Sequence, residues 1–184
     1  MTIRKYKPED YDTVVHICLH NADLEDHSSP IGQFIYEMFC RYYIECEPEN
    51  CFVAVDDNDV PFGYVYGAAD YDRYEQNFKE YLCRIREIGG GKYLADAQVE
   101  MYNHLIYKDT YPAHLHIDLL ENGRGSGVGT SLIKHYCENI KSRGINGVML
   151  IVGSDNLRGR NFYEKNGFTL LADKESGAAY GKKL

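Results

Sequence analysis

The segment best suited to binding a ligand is residues 124–130, which read Arg-Gly-Ser-Gly-Val-Gly-Thr. Glycine has no Cβ atom and tolerates positive φ, so the backbone here can approach a ligand closely. The segment lies between a predicted strand and a predicted helix, where free amides and the helix dipole favour negative charge. These features predict a pyrophosphate cradle, in which Arg124 adds a charged contact. The cradle comprises Arg124, Gly125, Ser126, Gly127, Val128, Gly129 and Thr130.

The spacing of these glycines separates this cradle from two common nucleotide-binding motifs. A dinucleotide-binding loop needs G-x-G-x-x-G, and a register that starts at Gly125 has Thr130 at the last position. A second candidate, Lys92 after three glycines, fails the P-loop pattern because Arg86 and Tyr93 stand at the required Gly and Ser/Thr positions. The pattern that remains is R-x-x-G-x-G over residues 124–129.

A polar stripe precedes the glycine loop. His114, His116 and Asp118 alternate along a predicted strand, so their side chains share one face. Neighbouring positions on one extended strand suit a two-His-one-carboxylate metal site poorly, and no metal is predicted. Two hypotheses stay open. Either His116 or Asp118 serves as a general base, directly or through water, beside an acceptor, or the stripe is structural.

Two motifs resemble the signatures of the GNAT superfamily of N-acetyltransferases. The R-x-x-G-x-G segment is similar to the family pattern [R/Q]-x-x-G-x-[G/A], and residues 156–168 resemble N-x-x-A-x-x-x-Y-x-x-x-G-F. The chain departs from the family at Glu121, where proline often stands, and at Gly159, where alanine is usual. Residues 111–120 also resemble the acetyltransferase-like domain of O-GlcNAc hydrolases and its free-standing bacterial relatives.

This resemblance implies roles for individual residues, with acetyl-CoA as cosubstrate. The backbone at Leu119 and Leu120 would bind pantetheine and polarise the thioester carbonyl, where the strand splays from its neighbour at residues 148–152. Tyr163 matches the general acid that protonates the CoA thiolate, and Asn156 matches a residue that contacts pantetheine or orders its helix. Two structural alternatives stay open, with Tyr163 as a core residue and Asn156 as a helix cap alone.

The hydrophobic periodicity predicts the elements that position these residues. Strands are predicted over residues 2–6, 51–55, 60–68, 114–120, 148–152 and 168–171, and helices over 8–18, 31–46, 71–88, 94–107, 128–143 and 156–166. Together with the resemblance, they imply one α/β acetyltransferase domain over residues 1–184. Its GNAT-like sheet would be mixed and mostly antiparallel, flanked by helices, with a helical insert at about 71–111 between strands 3 and 4.

The insert is rich in aromatic residues, and two hypotheses explain them. They could wall an acceptor pocket, or they could pack the insert onto the sheet. Helical spacing accounts for most of the positions and favours packing. The residues concerned are Tyr71, Tyr74, Phe78, Tyr81, Tyr93, Tyr102 and Tyr107.

Composition narrows the partners of the chain. Its 184 residues carry a net charge of −8, which argues against nucleic-acid binding. The acidic balance would attract a cationic amine or simply maintain solubility. Six cysteines without a C-x-x-C pair predict neither a zinc site nor a disulfide framework. No signal peptide or membrane span is evident, so the expected compartment is the cytoplasm.

These observations predict an acetyl-CoA-dependent N-acetyltransferase. It would move an acetyl group to a primary amine of a small molecule by direct transfer in a ternary complex. Two alternatives remain, namely an inactive acyl-CoA-binding module of the same fold and an acetyltransferase that modifies proteins. A pocket roofed by the insert would favour a small acceptor, and an open groove a protein. A homodimer stays open.

Overall fold

The computed structural model describes residues 2–24, 26–175 and 177–184. Its strands form one seven-stranded sheet in the order β1-β2-β3-β4-β5-β7-β6, in which all neighbours are antiparallel except β4 and β5. The strands are β1 Thr2–Lys5, β2 Phe52–Val55, β3 Pro61–Ala68, β4 Ala113–Leu119, β5 Gly147–Val152, β6 Thr169–Lys174 and β7 Gly177–Lys183. The mixed, mostly antiparallel sheet confirms the predicted fold class.

Helices cover both faces of this sheet. The helices are α1 Tyr11–Asn21, α2 Pro30–Tyr36, α3 Tyr42–Cys46, α4 Tyr71–Asn77, α5 Lys79–Leu105, α6 Val128–Ser142 and α7 Leu157–Lys165. A π-helical turn over Glu37–Arg41 joins α2 to α3. Within the described parts of the chain, no helix is both long enough and apolar enough to cross a membrane.

The two faces of the sheet pack against different cores. Strand alternation sends Tyr64 and Tyr66 of β3 to one face and Val65 to the other. The first face builds a tyrosine-rich cluster with α1 to α5, whose buried aromatic members include Tyr42, Tyr43, Tyr64, Tyr66, Tyr71, Tyr74, Phe78 and Tyr81. The second face builds an aliphatic cluster with α6, whose buried members include Val65, Leu115, Val128, Leu132, Ile133, Ile140, Val148 and Leu150.

The helical insert lies between β3 and β4, as predicted. Its helix α5 continues through the glycine triplet with one non-helical residue, Gly90, whose φ is 64°. Because Gly90 is not helical, α5 bends at this point. The two helices predicted over residues 71–88 and 94–107 are therefore joined across a kink. Tyr71, Tyr74 and Tyr81 are buried in the tyrosine-rich cluster, which supports the packing hypothesis, whereas Tyr102 is 56% exposed.

Two features of the fold differ from the prediction. The predicted order ends at β6, yet β7 follows and lies between β5 and β6. Its sequence, GAAYGKK, has no β-branched residue, so the strand depends on its two neighbours and not on local propensity. The second difference is the π turn at Glu37–Arg41, inside what was predicted as one regular helix over residues 31–46.

The sheet opens between its two central strands. Parallel pairing of β4 with β5 joins Ala113 to Val148 and His114 to Met149. Beyond these two pairs, the described residues of β4 and β5 have no further register partners in each other. A splayed gap therefore begins just after His114, as the sequence resemblance implied.

Candidate active site

Two cavities meet at this gap. The inner cavity, about 350 Å³, lies among α1, the π turn, β4 and β5, and the glycine groove, about 460 Å³, lies along the loop before α6. Five residues line both cavities and therefore mark their junction. They are Asn21, Ile117, Asp118, Asn156 and Tyr163.

The three glycines of the loop have different structural roles. Gly125 and Gly127 have φ of 81° and 83°, and no described atom lies within 4 Å of a Cβ built at either position. Gly127 caps α6 without a side chain, so the first amides of that helix remain available to an anion. Gly129 instead permits close packing, since its Cβ would lie 3.0 Å from the Phe162 ring. This geometry is compatible with a pyrophosphate cradle, which stays a prediction.

The other members of the predicted cradle are also on or beside the groove. Arg124 and Thr130 line it, whereas Ser126 Oγ donates to the Gly123 carbonyl at 2.7 Å and shapes the turn. The Val128 side chain is buried in the aliphatic cluster, so only its backbone can face a ligand. Arg124 donates from Nε to the Leu119 carbonyl at 3.1 Å, and its guanidinium also reaches Asn21 Oδ1 at 2.8 Å.

Asn156 occupies the junction and also caps α7. Its Oδ1 accepts a hydrogen bond from the Gly159 amide at 2.8 Å. A Cβ at Gly159 would lie 2.9 Å from Asn156 Nδ2, so glycine at this position makes room for the capping side chain. The residue therefore combines the capping role with a place on both cavity walls. Capping does not use its amide nitrogen.

The backbone of β4 presents its polar groups to the gap. The Leu120 amide donates to the Phe62 carbonyl at 2.9 Å, so this pair is hydrogen-bonded to β3. Because antiparallel pairs alternate, the backbone groups of Leu119 and Ile117 point the other way, toward β5. The Leu119 amide is therefore placed to bind a pantetheine arm or a thioester carbonyl. The Leu120 amide, also predicted to bind, is already used by β3.

Asp118 is the carboxylate at the junction. The Tyr64 hydroxyl donates to its Oδ2 atom. Burial raises the pKa of Asp118 to about 6, although the hydrogen bond from Tyr64 and the charge of Arg124 oppose this shift. A carboxylate with this pKa is ionised at pH 7 and is a stronger base than an ordinary aspartate.

Tyr163 extends from α7 to the same junction. Burial raises the pKa of its phenol, and the nearby Asp118 carboxylate raises it further. The hydroxyl is therefore protonated at pH 7 and can donate a proton. Its ring also packs against Phe162, Phe168 and Tyr180 at centroid distances of 5.3, 5.9 and 6.2 Å.

The histidines of the stripe are held by another tyrosine. Tyr43 Oη lies 3.0 Å from Nε2 of both His114 and His116. His116 lines the inner cavity, whereas the His114 side chain is buried and does not line it. Burial, and then the neighbouring His104, lower the pKa of His116 to about 3. His116 is thus a much weaker base than Asp118.

Sequence patterns missed several residues of this region. Tyr64 and Tyr43, which hold Asp118 and the two histidines, were not singled out among the 17 tyrosines of the chain. Asn21, at the end of α1, was missed because no motif contains it. Of these residues, only Tyr64 could have been found from the sequence. Once β3 and β4 are aligned as neighbours, Tyr64 stands directly opposite Asp118.

Solved structures of other proteins share the fold of this chain. The solved structure of a protein named SsHAT is 27% identical with a TM-score of 0.86, covering 99% of this chain and 97% of that one. PaiA N-acetyltransferase from Thermoplasma acidophilum, solved in complex with coenzyme A, is 17% identical with a TM-score of 0.63, covering 100% and 98%. An agmatine N-acetyltransferase is 15% identical with a TM-score of 0.63, covering 100% and 99%. At these lower identities, the last two show the fold alone.

The sequence model of the acetyltransferase (GNAT) family matches residues 18–168, which include the glycine loop, the polar stripe and Tyr163. This chain belongs to the acetyltransferase (GNAT) family, and it is an acyltransferase whose cosubstrate is acetyl-CoA.

Proposed function

We propose that the protein transfers the acetyl group of acetyl-CoA directly to a primary amine of a small molecule, in a ternary complex. The observation that carries this proposal is the junction of the two cavities, where Asp118 and Tyr163 line both walls. A base and an acid are thus available at the point where an acceptor and a thioester would meet. The domain formed by residues 1–184 would suffice for this chemistry.

Binding of acetyl-CoA would use backbone groups along the glycine groove. Amides of the loop and of the first turn of α6 would hold the pyrophosphate, where the helix dipole favours negative charge. The Leu119 amide would donate to the thioester carbonyl and stabilise the charge that develops on its oxygen. When bound, acetyl-CoA supplies the acetyl group as an activated thioester.

Asp118 would act as the general base. An alkylamine has a pKa of roughly 10.4, so most of it is protonated at pH 7 and must lose a proton before it can attack. Asp118 is preferred over His116, because its pKa is raised to about 6 while that of His116 is lowered to about 3. The carboxylate would accept this proton directly or through one water molecule.

Tyr163 would act as the general acid. The neutral amine attacks the thioester carbonyl carbon, the new C–N bond forms and the C–S bond breaks. The departing sulfur then takes the phenolic proton of Tyr163, whose high pKa keeps that proton in place until the thiolate appears. The new amide nitrogen would pass its surplus proton to the resulting phenolate, directly or through water, which regenerates Tyr163.

The dimensions of the inner cavity support a small acceptor. Its volume of about 350 Å³ lies at the lower end of small-molecule sites, and helix α1 and the π turn close one side of it. Among the described residues, none of α4 or α5 lines either cavity, so the helical insert does not roof the pocket. Residues of α1 and the π turn cover it instead. Asp118 provides a negative charge to attract an ammonium group.

An acceptor screen that monitors release of free CoA thiol tests this function. We expect turnover with one or more small primary amines, such as diamines, amino acids or amino sugars, and its loss in Asp118→Asn. Thiol release only with peptides would indicate a protein-modifying acetyltransferase. Binding of CoA without release by any acceptor would indicate an inactive module.

A further inference from the structure

Asn21 ends helix α1 and lines both cavities, yet it has no part in the mechanism above. Its Nδ2 donates to the Ile17 carbonyl at 2.9 Å, and its Oδ1 accepts from Arg124 Nη2 at 2.8 Å. A carbonyl oxygen only accepts and a guanidinium only donates, so chemistry fixes which end of the amide faces which partner. The oxygen of Asn21 therefore belongs to Arg124.

The guanidinium of Arg124 is held along one edge. Its Nε donates to the Leu119 carbonyl at 3.1 Å, beside the bond from Nη2 to Asn21. Nε and Nη2 lie on the same edge of this planar group, so one bond on each fixes both its position and its plane. The two acceptors come from different elements, since Leu119 ends β4 and Asn21 ends α1.

This arrangement leaves the other end of the guanidinium for a ligand. Neither bond uses Nη1 or the second hydrogen of Nη2. Two parallel N–H groups of this kind match the oxygens of a phosphate. Arg124 lines the glycine groove beside Gly125 and Gly127, so a phosphate bound at the loop would lie near this end. An arginine that is already held loses less conformational freedom when the ligand binds.

We propose that Asn21 is a positioning residue for the cosubstrate, which holds the Arg124 guanidinium so that its free end binds the pyrophosphate of acetyl-CoA. Asn21 does not touch the phosphates itself. Helix α1 would thus contribute one contact to cosubstrate binding from the opposite face of the sheet. The inference deepens the proposed binding of acetyl-CoA along the glycine groove and rests on it.

A purely structural role for Asn21 would consist of its bond to Ile17 alone. The last carbonyls of a helix lack partners within the helix, and an asparagine can satisfy one of them. The chain offers a matched case at the end of α7. Asn166 donates from Nδ2 to the Phe162 carbonyl at 2.8 Å, also four residues earlier, and lines neither the inner cavity nor the glycine groove. Asn166→Leu is therefore the control for loss of such a bond.

Calorimetry with CoA as the probe tests the proposal without any acceptor. In Asn21→Leu, we expect the Kd of CoA to rise about three- to tenfold, the size of one exposed hydrogen bond to a charged group. Asn166→Leu should leave this Kd unchanged. An unchanged or lower Kd in Asn21→Leu, or an equal rise in both variants, would contradict the proposal.

A double-mutant cycle tests whether Asn21 acts through Arg124. Arg124→Leu removes the guanidinium, so Asn21→Leu added to this variant should raise the Kd of CoA no further. The full three- to tenfold rise in this background would mean that Asn21 acts on the ligand by another route, and the proposal would fail.

The Nε–H group of Arg124 gives a readout in the free protein. Its ¹H–¹⁵N signal, assigned by its loss in Arg124→Leu, should exchange with water faster in Asn21→Leu than in the wild type. Equal exchange in both would show that Asn21 does not hold the guanidinium.

Gly127→Glu separates this inference from the proposed function, because its carboxylate would repel a pyrophosphate at the loop. If Gly127→Glu weakens CoA binding and Asn21→Leu does not, the groove binds the pyrophosphate without help from Asn21, and only this inference fails. If neither variant weakens binding, the pyrophosphate lies elsewhere, and the proposed mode of cosubstrate binding fails with it.

Discussion

The two faces of the sheet are packed with different kinds of residue, one with tyrosines and the other with aliphatic side chains. The tyrosine-rich cluster surrounds charged and polar groups, and its hydroxyls bond to Asp118, to His114 and His116, and to buried Glu47. The aliphatic cluster holds α6 with side chains such as Leu132, and the loop before that helix offers a ligand backbone amides. Burying a polar group without a partner is costly, so polar residues accumulate where hydroxyls can satisfy them.

This difference assigns the two halves of the proposed reaction to opposite faces. Acceptor recognition and the base belong to the tyrosine-rich face, where side chains set protonation. Cosubstrate binding and the acid belong to the aliphatic face, where Tyr163 packs against the cluster. Four predictions test whether the faces contribute separately.

The largest effect is expected on the aliphatic face. Tyr163→Phe should lower kcat about 10²–10⁴-fold, because the leaving thiolate loses its proton donor, while the Kd of acetyl-CoA stays unchanged. Steady-state kinetics and calorimetry measure the two quantities. The control is Tyr180→Phe, since Tyr180 is a neighbouring ring that does not line the junction. Its hydroxyl donates to Glu164. A wild-type rate in Tyr163→Phe would make Tyr163 a core residue only.

The next effect belongs to the tyrosine-rich face. Asp118→Asn should lower kcat/KM about 10²–10³-fold, since the base is lost. In the wild type, burial raises the pKa of Asp118 to about 6, so the active carboxylate is present above this pH and kcat/KM falls as the pH drops through it. His116→Gln should keep this acidic limb. If the limb survives in Asp118→Asn at near wild-type rates, the base lies elsewhere.

Cosubstrate affinity should respond to the glycine loop. Gly127→Glu places a carboxylate against the expected pyrophosphate, and we expect the Kd of CoA to rise about 10–100-fold, or ~1.4–2.7 kcal/mol. Gly144→Glu is the matched control, because Gly144 has a similar φ of 82°, equally open surroundings, and follows the other end of α6. Equal affinity of both variants, measured by calorimetry, would place the anion site elsewhere.

The last test leaves activity aside and compares the stability of the two clusters. Leu132→Ala should reduce the free energy of unfolding by about 2–5 kcal/mol, because a fully buried side chain leaves a cavity. Tyr42→Phe should cost less, about 1–3 kcal/mol, since it removes only a buried hydrogen bond to Glu47. Urea denaturation measures both. A larger loss for Tyr42→Phe would mean that hydroxyl bonding, not packing, dominates stability here.

The sequence predicted those parts of the molecule that depend on local spacing. The loop at residues 124–129, the alternating stripe before it and the cap at Asn156 all follow from contacts within a few residues. The strand β7 could not be predicted in this way, because its partners β5 and β6 supply the stabilisation that its own residues lack. His104 was missed for a similar reason, since only packing of α5 brings it to His114.

The splayed gap between β4 and β5 also has a consequence for amide hydrogen exchange. The middle of a sheet ordinarily exchanges most slowly, because its amides open only when the whole domain unfolds. Here Ile117 and Leu119 lie at the centre of the sheet order, yet their amides face the gap. In the free protein, they should exchange far faster than Asp118 between them, whose amide faces β3. Bound acetyl-CoA should slow hydrogen exchange of the Leu119 amide. Exchange at the centre of this sheet would therefore respond to ligand binding, as exchange in a surface loop does in other proteins.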